Sequence, residues 1–418
     1  MYIKQLSIID LRSITSASID FEVPTPLGAG NITLLLGGNG TGKTSILRAI
    51  ALACLGPTLA ESGFVPYRLV RNGAKPIKRT QASTATVTAH VILSEYECDQ
   101  HFDYASKHLQ LETNIERWGK DNERRERIGV TRSSAMFTDD ALADDHGAYK
   151  GALFKADSSQ FFVLAYGATR RVESSANIDS SARSKSRSPR YQRVAGLFED
   201  GVTLMPLSSW LPNFQLKNPG RAKQVSTLLN KLLPDGCIFS PKVLETEAGL
   251  DFGYKLHGET VPFAALSDGY RAFIGWVADM LYHLTQGAGS GKRLDETQGI
   301  VLIDEIDLHL HPQWQRSVLP TLASALPKMQ FIVTSHSPLV TASLHENQVR
   351  VLGNDRIGPL NESLEGRSVD QILRSPYFGL RSAHSQATET ARDALTEQVS
   401  KGDIKASLAF MRSLAGEA

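Results

Sequence analysis

The stretch LLLGGNGTGKTSILRAI, Leu34 to Ile50, decides the fold. Gly37-x-x-x-x-Gly42-Lys43-Thr44 has the spacing of a phosphate-binding loop. In such a loop backbone N–H groups surround the phosphates, a lysine reaches the β and γ oxygens, and a hydroxyl meets magnesium. On that reading Gly37, Asn39, Gly40, Gly42, Lys43, Thr44 and Ser45 bind nucleotide, and glycine is needed because the chain turns tightly against an anion. Asn31-Ile-Thr-Leu-Leu-Leu36 reads as a buried strand. Ile46, Leu47, Ile50 and Ala51 then recur at helical spacing, so the loop opens a helix whose N-terminus faces the anion. A dinucleotide fingerprint fits worse: Gly38-Asn-Gly40-Thr-Gly42 lacks the G-x-G-x-x-G spacing and leaves Lys43 unexplained.

Composition narrows what surrounds this loop. A chain of 418 residues holds one elaborated domain or two to three ordinary ones. With 45 Lys+Arg against 44 Asp+Glu there is no global positive field, so an anionic partner must be met by a local patch, which argues against a DNA coat protein. Cys54, Cys98 and Cys237 are far apart and lack C-x-x-C spacing, as buried thiols in a reducing compartment would be. The opening MYIKQLSIID alternates like a strand, and no apolar run approaches the ~18 residues of a membrane span. The expectation is a soluble, cytoplasmic protein with no membrane contact.

Along the chain, Tyr2 to Phe21 reads as two strands that join the sheet carrying the phosphate loop. Thr86 to Leu93 alternates as a strand of an antiparallel side sheet. The charged run Glu116 to Arg127 reads as a solvated helix or hairpin edge without chemistry. Phe161 to Tyr166 is a buried strand that runs into Gly167-Ala-Thr-Arg170. Glu173 to Gln192, rich in Ser and Arg, reads as a mobile insert whose Arg183, Lys185, Arg187 and Arg190 either touch a nucleic-acid backbone or only solubilise the loop. Leu197 to Leu233 has helical spacing, and Cys237 to Pro262 reads as short strands.

The second half of a nucleotide site is also legible. Gly299-Ile-Val-Leu-Ile-Asp304-Glu305 ends an apolar strand in two carboxylates: Asp304 suits the shell of Mg²⁺, which keeps several waters and uses few carboxylates, and Glu305 suits activation of the attacking water. Gln330 to Ser335 is another buried strand, and His336 follows it at the carboxyl edge, where a γ-phosphate sensor would sit. Leu266-Ser267-Asp268-Gly269-Tyr270-Arg271 precedes Phe273, Trp276, Met280 and Leu284 at helical spacing. Ser267 is placed to cap that helix, and its N-terminus is a second phosphate site that a single subunit does not need.

The ordered set of phosphate loop, LSDGYR, IVLIDE and TSH resembles ATP-binding-cassette ATPases, over about Met1 to Leu352. The resemblance implies that Ser267 and Gly269 close over nucleotide held by the opposite subunit, so the active form is a homodimer or higher oligomer built around an ATP sandwich with Mg²⁺. Asp304-Glu305-Ile-Asp307-Leu-His309-Leu-His311-Pro312 looks like the element of soluble, non-transporter members, the overcoming-lysogenization-defect and RecF-like group. There His309 and His311 belong to a subunit-contact loop; a transition-metal site is the other reading of two such imidazoles. Arg12, in Leu11-Arg12-Ser13, matches the basic position that contacts nucleotide in chromosome-maintenance ATPases, an ordinary surface arginine being the other reading, and Gln160 is the candidate for the metal-contacting glutamine of the Q-loop.

Tyr166-Gly-Ala-Thr-Arg170, Arg193 to Phe198, Trp210-Leu211 and Ser368 to Leu380 resemble the ATPase subunits of Septu-type anti-phage systems, which work with an HNH nuclease. The implied fold is α/β: an ABC-type ATPase head with a mixed sheet, an antiparallel side sheet, a helical signature lobe and a helical C-terminal tail. The implied division is an ATPase domain at 1–352, with its phosphate-loop lobe at about 1–170 and 295–352, a mobile insert at about 173–192 and a signature lobe at about 193–294, followed by a tail at 353–418. No nuclease pattern follows His336, so cleavage falls to a separate effector, with DNA or a phage component as a further candidate partner. A DNA-repair ATPase of the RecF type and the nucleotide-binding subunit of a transporter are the alternative functions.

Overall fold

A computed structural model describes residues 1–24, 30–71, 84–94, 97, 108–118, 125–129, 135–137, 160–171, 188–246, 249–289, 291–353, 357–360 and 362–380, with single positions at 390, 394, 396 and 399. Two compact units divide it, Met1–Glu365 and Gly366–Ala418.

Within the first unit, strands β1 (Tyr2–Leu11), β2 (Ile14–Asp20), β4 (Thr84–Ile92), β5 (His108–Trp118) and β6 (Arg125–Gly129) form an antiparallel sheet in the order β2-β1-β4-β5-β6, with β7 (Ala135–Phe137) also on β5. A second sheet runs β15-β14-β3-β13-β12-β8, built from β3 (Ile32–Gly37), β8 (Val163–Tyr166), β12 (Gly299–Ile303), β13 (Met329–Ser335), β14 (Val349–Leu352) and β15 (Ile357–Pro359). Its strands are parallel except for the edge strand β15.

Burial explains the division. Every residue of β3, β12 and β13 is buried, as a parallel strand covered on both faces requires, whereas β4 alternates buried and half-buried positions. The two N-terminal strands thus belong to the antiparallel sheet rather than to the sheet of the phosphate loop. Side chains link them to that sheet: Ile3 N–H donates to Gln330 Oε1 at 2.8 Å, Gln330 Nε2 donates to the carbonyls of Ile3 at 2.8 Å and Glu22 at 2.7 Å, and Arg350 Nε donates to the Asp20 carbonyl at 2.8 Å.

Helix α1 (Lys43–Glu61) packs against β1, β4, β5 and β6 on one side and β3, β8 and β13 on the other. This is why it is apolar all round, with Ile46, Leu47, Ile50 and Leu59 fully buried. It is the one helix among the described residues long and apolar enough to cross a membrane, and 78% of its most apolar window is buried inside the protein. Gly56 sits where α1 meets β5: a Cβ there would lie 2.1 Å from Thr113 Oγ1, the hydroxyl that donates to the Leu52 carbonyl at 2.9 Å. Gly56→Val should therefore destabilise the fold by about 1–3 kcal/mol, read as a lower urea midpoint, because an overpacked core cannot absorb the added volume. An unchanged midpoint would show that α1 can move off the sheet.

The short helix α2 (Pro189–Gln192) packs on α1, and the helical lobe contains α3 (Leu207–Lys217), α4 (Pro219–Leu232) and α5 (Asp268–Gly287), with a small antiparallel sheet β11-β10-β9 of β9 (Cys237–Thr246), β10 (Gly249–Leu256) and β11 (Glu259–Pro262). Helix α5 buries Phe273, Trp276, Met280 and Leu284 and packs on α3 and α4. Helices α6 (Pro312–Ala325) and α7 (Pro338–Thr341) follow β12 and β13.

Three other expectations need correction. The insert does not extend to Gln192, since Pro189 onward is helical. Arg190 is 1% exposed and donates to the carbonyls of Gln160 at 2.7 Å and Phe161 at 3.1 Å, so it is no surface cation for nucleic acid; Arg183, Lys185 and Arg187 lie outside the described residues. The chain beyond Leu352 is not helical throughout, because β15 pairs with β14. For the charged run around Glu116 the helix alternative falls and the hairpin edge holds: where it is described it is a β5–β6 hairpin, with Glu116 paired to Arg127 at 2.9 Å. Of the cysteines, Cys54 and Cys237 are buried free thiols, and Cys98 lies outside the described residues.

The second unit carries, among its described residues, α8 (Val369–Leu373), at whose N-terminus Ser368 Oγ accepts the Gln371 N–H at 3.3 Å.

Candidate functional site

The parallel strands end together. Leu36 stands beside Ser335, Val333 beside Ile303, and Ile303 beside Tyr166, so the segments that follow β3, β13, β12 and β8 meet at one carboxyl edge. After β3 the loop needs its glycines. A Cβ on Gly37 would lie 2.9 Å from the Leu352 carbonyl, and Gly40 and Gly42 have φ of 79° and 100°. Gly42 is the N-cap of α1, whose first turn has no acidic residue, so its free N–H groups favour an anion. Lys43 Nζ spans the loop and donates to the carbonyls of Gly37 at 2.8 Å and Gly38 at 2.9 Å. Burial lowers its pKa, and the charges of Asp304, Glu305 and Asp307 oppose the fall.

Two threonines, Thr44 on α1 and Thr334 on β13, hold the carboxylate pair. Thr44 Oγ1 donates to Asp304 Oδ2 at 2.7 Å, and Thr334 Oγ1 donates to Asp304 Oδ1 at 2.6 Å. The Glu305 N–H donates to Thr334 Oγ1 at 2.8 Å. Glu305 adopts φ 49°, a left-handed conformation rare outside glycine, which persists only where the surroundings over-determine it and which concentrates at functional sites. His336 follows β13 and is exposed.

These groups surround a cavity of about 650 Å³. Arg12, Asn39, Gly40, Gly42, Lys43, Thr44, Ser45, Asp304, Glu305 and His336 all line it, so ten of the positions picked from sequence converge. Arg48 and Arg68 line it as well and were missed. Arg48 had a signal: it stands four residues after Thr44, hence on the same helix face. Arg68 had none, because long-range contacts bring it there. Leu11 bridges Val70, the Arg12 N–H donates to the Leu69 carbonyl at 2.7 Å, and buried Glu126 accepts the N–H groups of Leu69 at 2.7 Å and Val70 at 3.1 Å. The charged hairpin thus holds one wall of the cavity.

Gln160 is not in this site. It precedes β8 and so lies at the amino edge of the sheet, where it is 6% exposed and its Nε2 donates to the Glu97 carbonyl at 3.3 Å. A metal held by Thr44 and Asp304 at the carboxyl edge is out of its reach. The segment that does follow β8 holds Arg170.

Ser267 and Gly269 are not among the described residues lining the cavity. Ser267 occupies the N-cap position of α5, yet its side chain makes no capping bond and is exposed. Gly269 packs on the segment after Glu305, where a Cβ would lie 3.1 Å from the His309 carbonyl, and Tyr270 meets Trp314 edge-on at 4.5 Å. His311 Nδ1 accepts the Gln313 N–H at 3.4 Å as the cap of α6. No cluster of three or more His, Cys, Asp or Glu side chains able to hold a metal occurs among the described residues.

Septu protein PtuA of Bacillus mycoides (strain KBAB4) is 26% identical over 389 residues, covering 91% of this chain and 45% of that protein. Retron Ec83 probable ATPase of Escherichia coli is 40% identical over 131 residues, covering 31% of this chain and 24% of that protein. The chain spans less than half the length of either relative. Among solved structures, an SmcHead bound to the C-winged helix domain of ScpA aligns with TM-score 0.48 and 16% identity, over 87% of this chain and 99% of that one. Residues 5–131 match an AAA domain model. Residues 116–342, more than half of the chain, match the model described as AAA domain, putative AbiEii toxin, Type IV TA system, and the chain belongs to that family.

Proposed function

We propose that this chain hydrolyses ATP as the switch subunit of a cytoplasmic anti-phage defence complex and controls a separate effector, an HNH-type nuclease by resemblance to Septu systems. The observation that carries the ATPase reading is the convergence of Lys43, Thr44, Asp304, Glu305 and His336 on one cavity. The defence reading is supported by similarity along 91% of the chain to a Septu protein and, over a shorter stretch, to a retron ATPase.

In this reading the loop N–H groups and Lys43 bind the β- and γ-phosphates, while Arg12, Arg48 and Arg68 add positive charge along the cavity. Thr44 and Asp304 offer one hydroxyl and one carboxylate 2.7 Å apart, a donor set that suits Mg²⁺ with its remaining positions on water and phosphate. The bound cation neutralises charge on the phosphates. Glu305 takes the proton of the attacking water, and His336 senses the γ-phosphate. Ser267, exposed, and Gly269, half-buried, at the N-terminus of a 20-residue helix, close over nucleotide held by a second copy.

The test is phosphate release from ATP by the purified protein, with magnesium and with chelator, alone and co-expressed with the product of the neighbouring gene. Magnesium-dependent release and co-purification of that product are expected. Absence of release under both conditions rejects the ATPase reading, and release without any stable partner rejects the effector reading.

A further inference from the structure

Tyr166-Gly-Ala-Thr-Arg170 leaves β8 beside the carboxylate pair, and the roles described so far do not use it. Arg170 Nη2 donates to the Asp304 carbonyl and, at 2.5 Å, to the Glu305 carbonyl, while its Nε donates to the Gly167 carbonyl at 3.2 Å. The guanidinium carbon stands 6.0 Å from the centre of the Trp276 ring. Burial lowers the Arg170 pKa to about 10, with Asp304, Asp307 and Glu305 opposing the fall, so the group remains a cation at neutral pH.

The cation is spent on backbone carbonyls rather than on the carboxylates themselves, which leaves those carboxylates their own partners. Thr334 receives the N–H of Glu305 from one side, and Arg170 donates to its carbonyl from the other. Both peptide groups that flank the left-handed Glu305 are held, and with them the direction of its side chain.

We propose that Arg170 is a positioning residue for the Asp304–Glu305 pair, fixing both carbonyls so that the Glu305 carboxylate is aimed at the attacking water. The inference rests on the reading of Glu305 as the general base. The same short segment also reaches the helix that begins after Ser267: Tyr166 Oη donates to Asp279 Oδ2 at 2.7 Å, and Asp279 Oδ1 accepts the Met205 N–H at 2.7 Å. Arg170 and Tyr166, the two ends of a five-residue segment, thus tie α5 to the carboxylate pair.

The experiment compares kcat, ATP affinity and thermal melting for wild type, Arg170→Ala, Arg170→Lys and Glu305→Gln. A misaimed base costs about 10²-fold, so Arg170→Ala should lose that much in kcat while its Kd for ATP stays near the wild-type value. Arg170→Lys, whose ammonium cannot span three carbonyls, should fall between the two. Guanidinium ion at sub-denaturing concentration should restore part of the kcat of Arg170→Ala and none of that of Glu305→Gln, a rescue that loss of packing alone would not allow. Should Arg170→Ala fail to fold, the kcat and Kd of Arg170→Lys decide. Unchanged kcat in a folded Arg170 variant, or loss of kcat and ATP affinity in equal measure, overturns the proposal. A wild type that binds ATP and never hydrolyses it rejects the ATPase reading itself.

Discussion

Lys43→Ala is expected to lose ATP binding. Lys43 is 7% exposed and its Nζ spans the loop, and in the proposed site it is the side-chain countercharge to the β- and γ-phosphates. Removing one partner of such a buried charge pair costs about 2–5 kcal/mol, on the order of 30-fold to several thousandfold in Kd. The fold should survive, since Lys43 bonds only to loop carbonyls and the α1 core below it is untouched. Titration of ATP into the variant, with circular dichroism as the control for folding, measures this. Wild-type affinity in a folded variant would reject the phosphate-loop assignment.

Glu305→Gln should separate binding from turnover. The amide keeps the size of the side chain and its backbone clamps but cannot take a proton, so hydrolysis should fall about 10²- to 10⁴-fold while ATP still binds. Because nucleotide then persists, an ATP-bound dimer should accumulate and be visible by light scattering after gel filtration. Normal hydrolysis by this variant would mean that another residue activates the water.

Much of this site was readable because parallel sheets gather function at one edge. A run of apolar residues followed by Gly, Asp-Glu or Ser-His names both the strand and the end at which chemistry sits. That rule also corrects the two main errors. Gln160 stands before its strand, so its position at the amino edge was implied by chain direction. Tyr2 to Phe21 alternates, whereas Ile32–Gly37 and Gly299–Ile303 do not, and alternation is the mark of a sheet with one covered face.

Other features left no local trace. Arg190 looks like the rest of a Ser- and Arg-rich segment, and its burial is matched by carbonyls of Gln160 and Phe161, thirty and twenty-nine residues away. Arg170 acts on the backbone of residues 134 and 135 positions distant, a contact that no spacing rule encodes.

In the proposed dimer a working site takes its phosphate loop from one copy of the chain and its Ser267 helix from another. Ser267→Arg places bulk and charge at that helix N-terminus and leaves the phosphate loop of its own copy intact, whereas Lys43→Ala does the reverse. Mixing the two variants under conditions of subunit exchange, and measuring phosphate release, tests the claim most directly. Each variant alone should be inactive. The mixed dimer rebuilds one composite site from an intact loop and an intact helix, so partial activity should return. Full activity of Ser267→Arg alone, or no recovery from a demonstrably mixed dimer, would contradict the account.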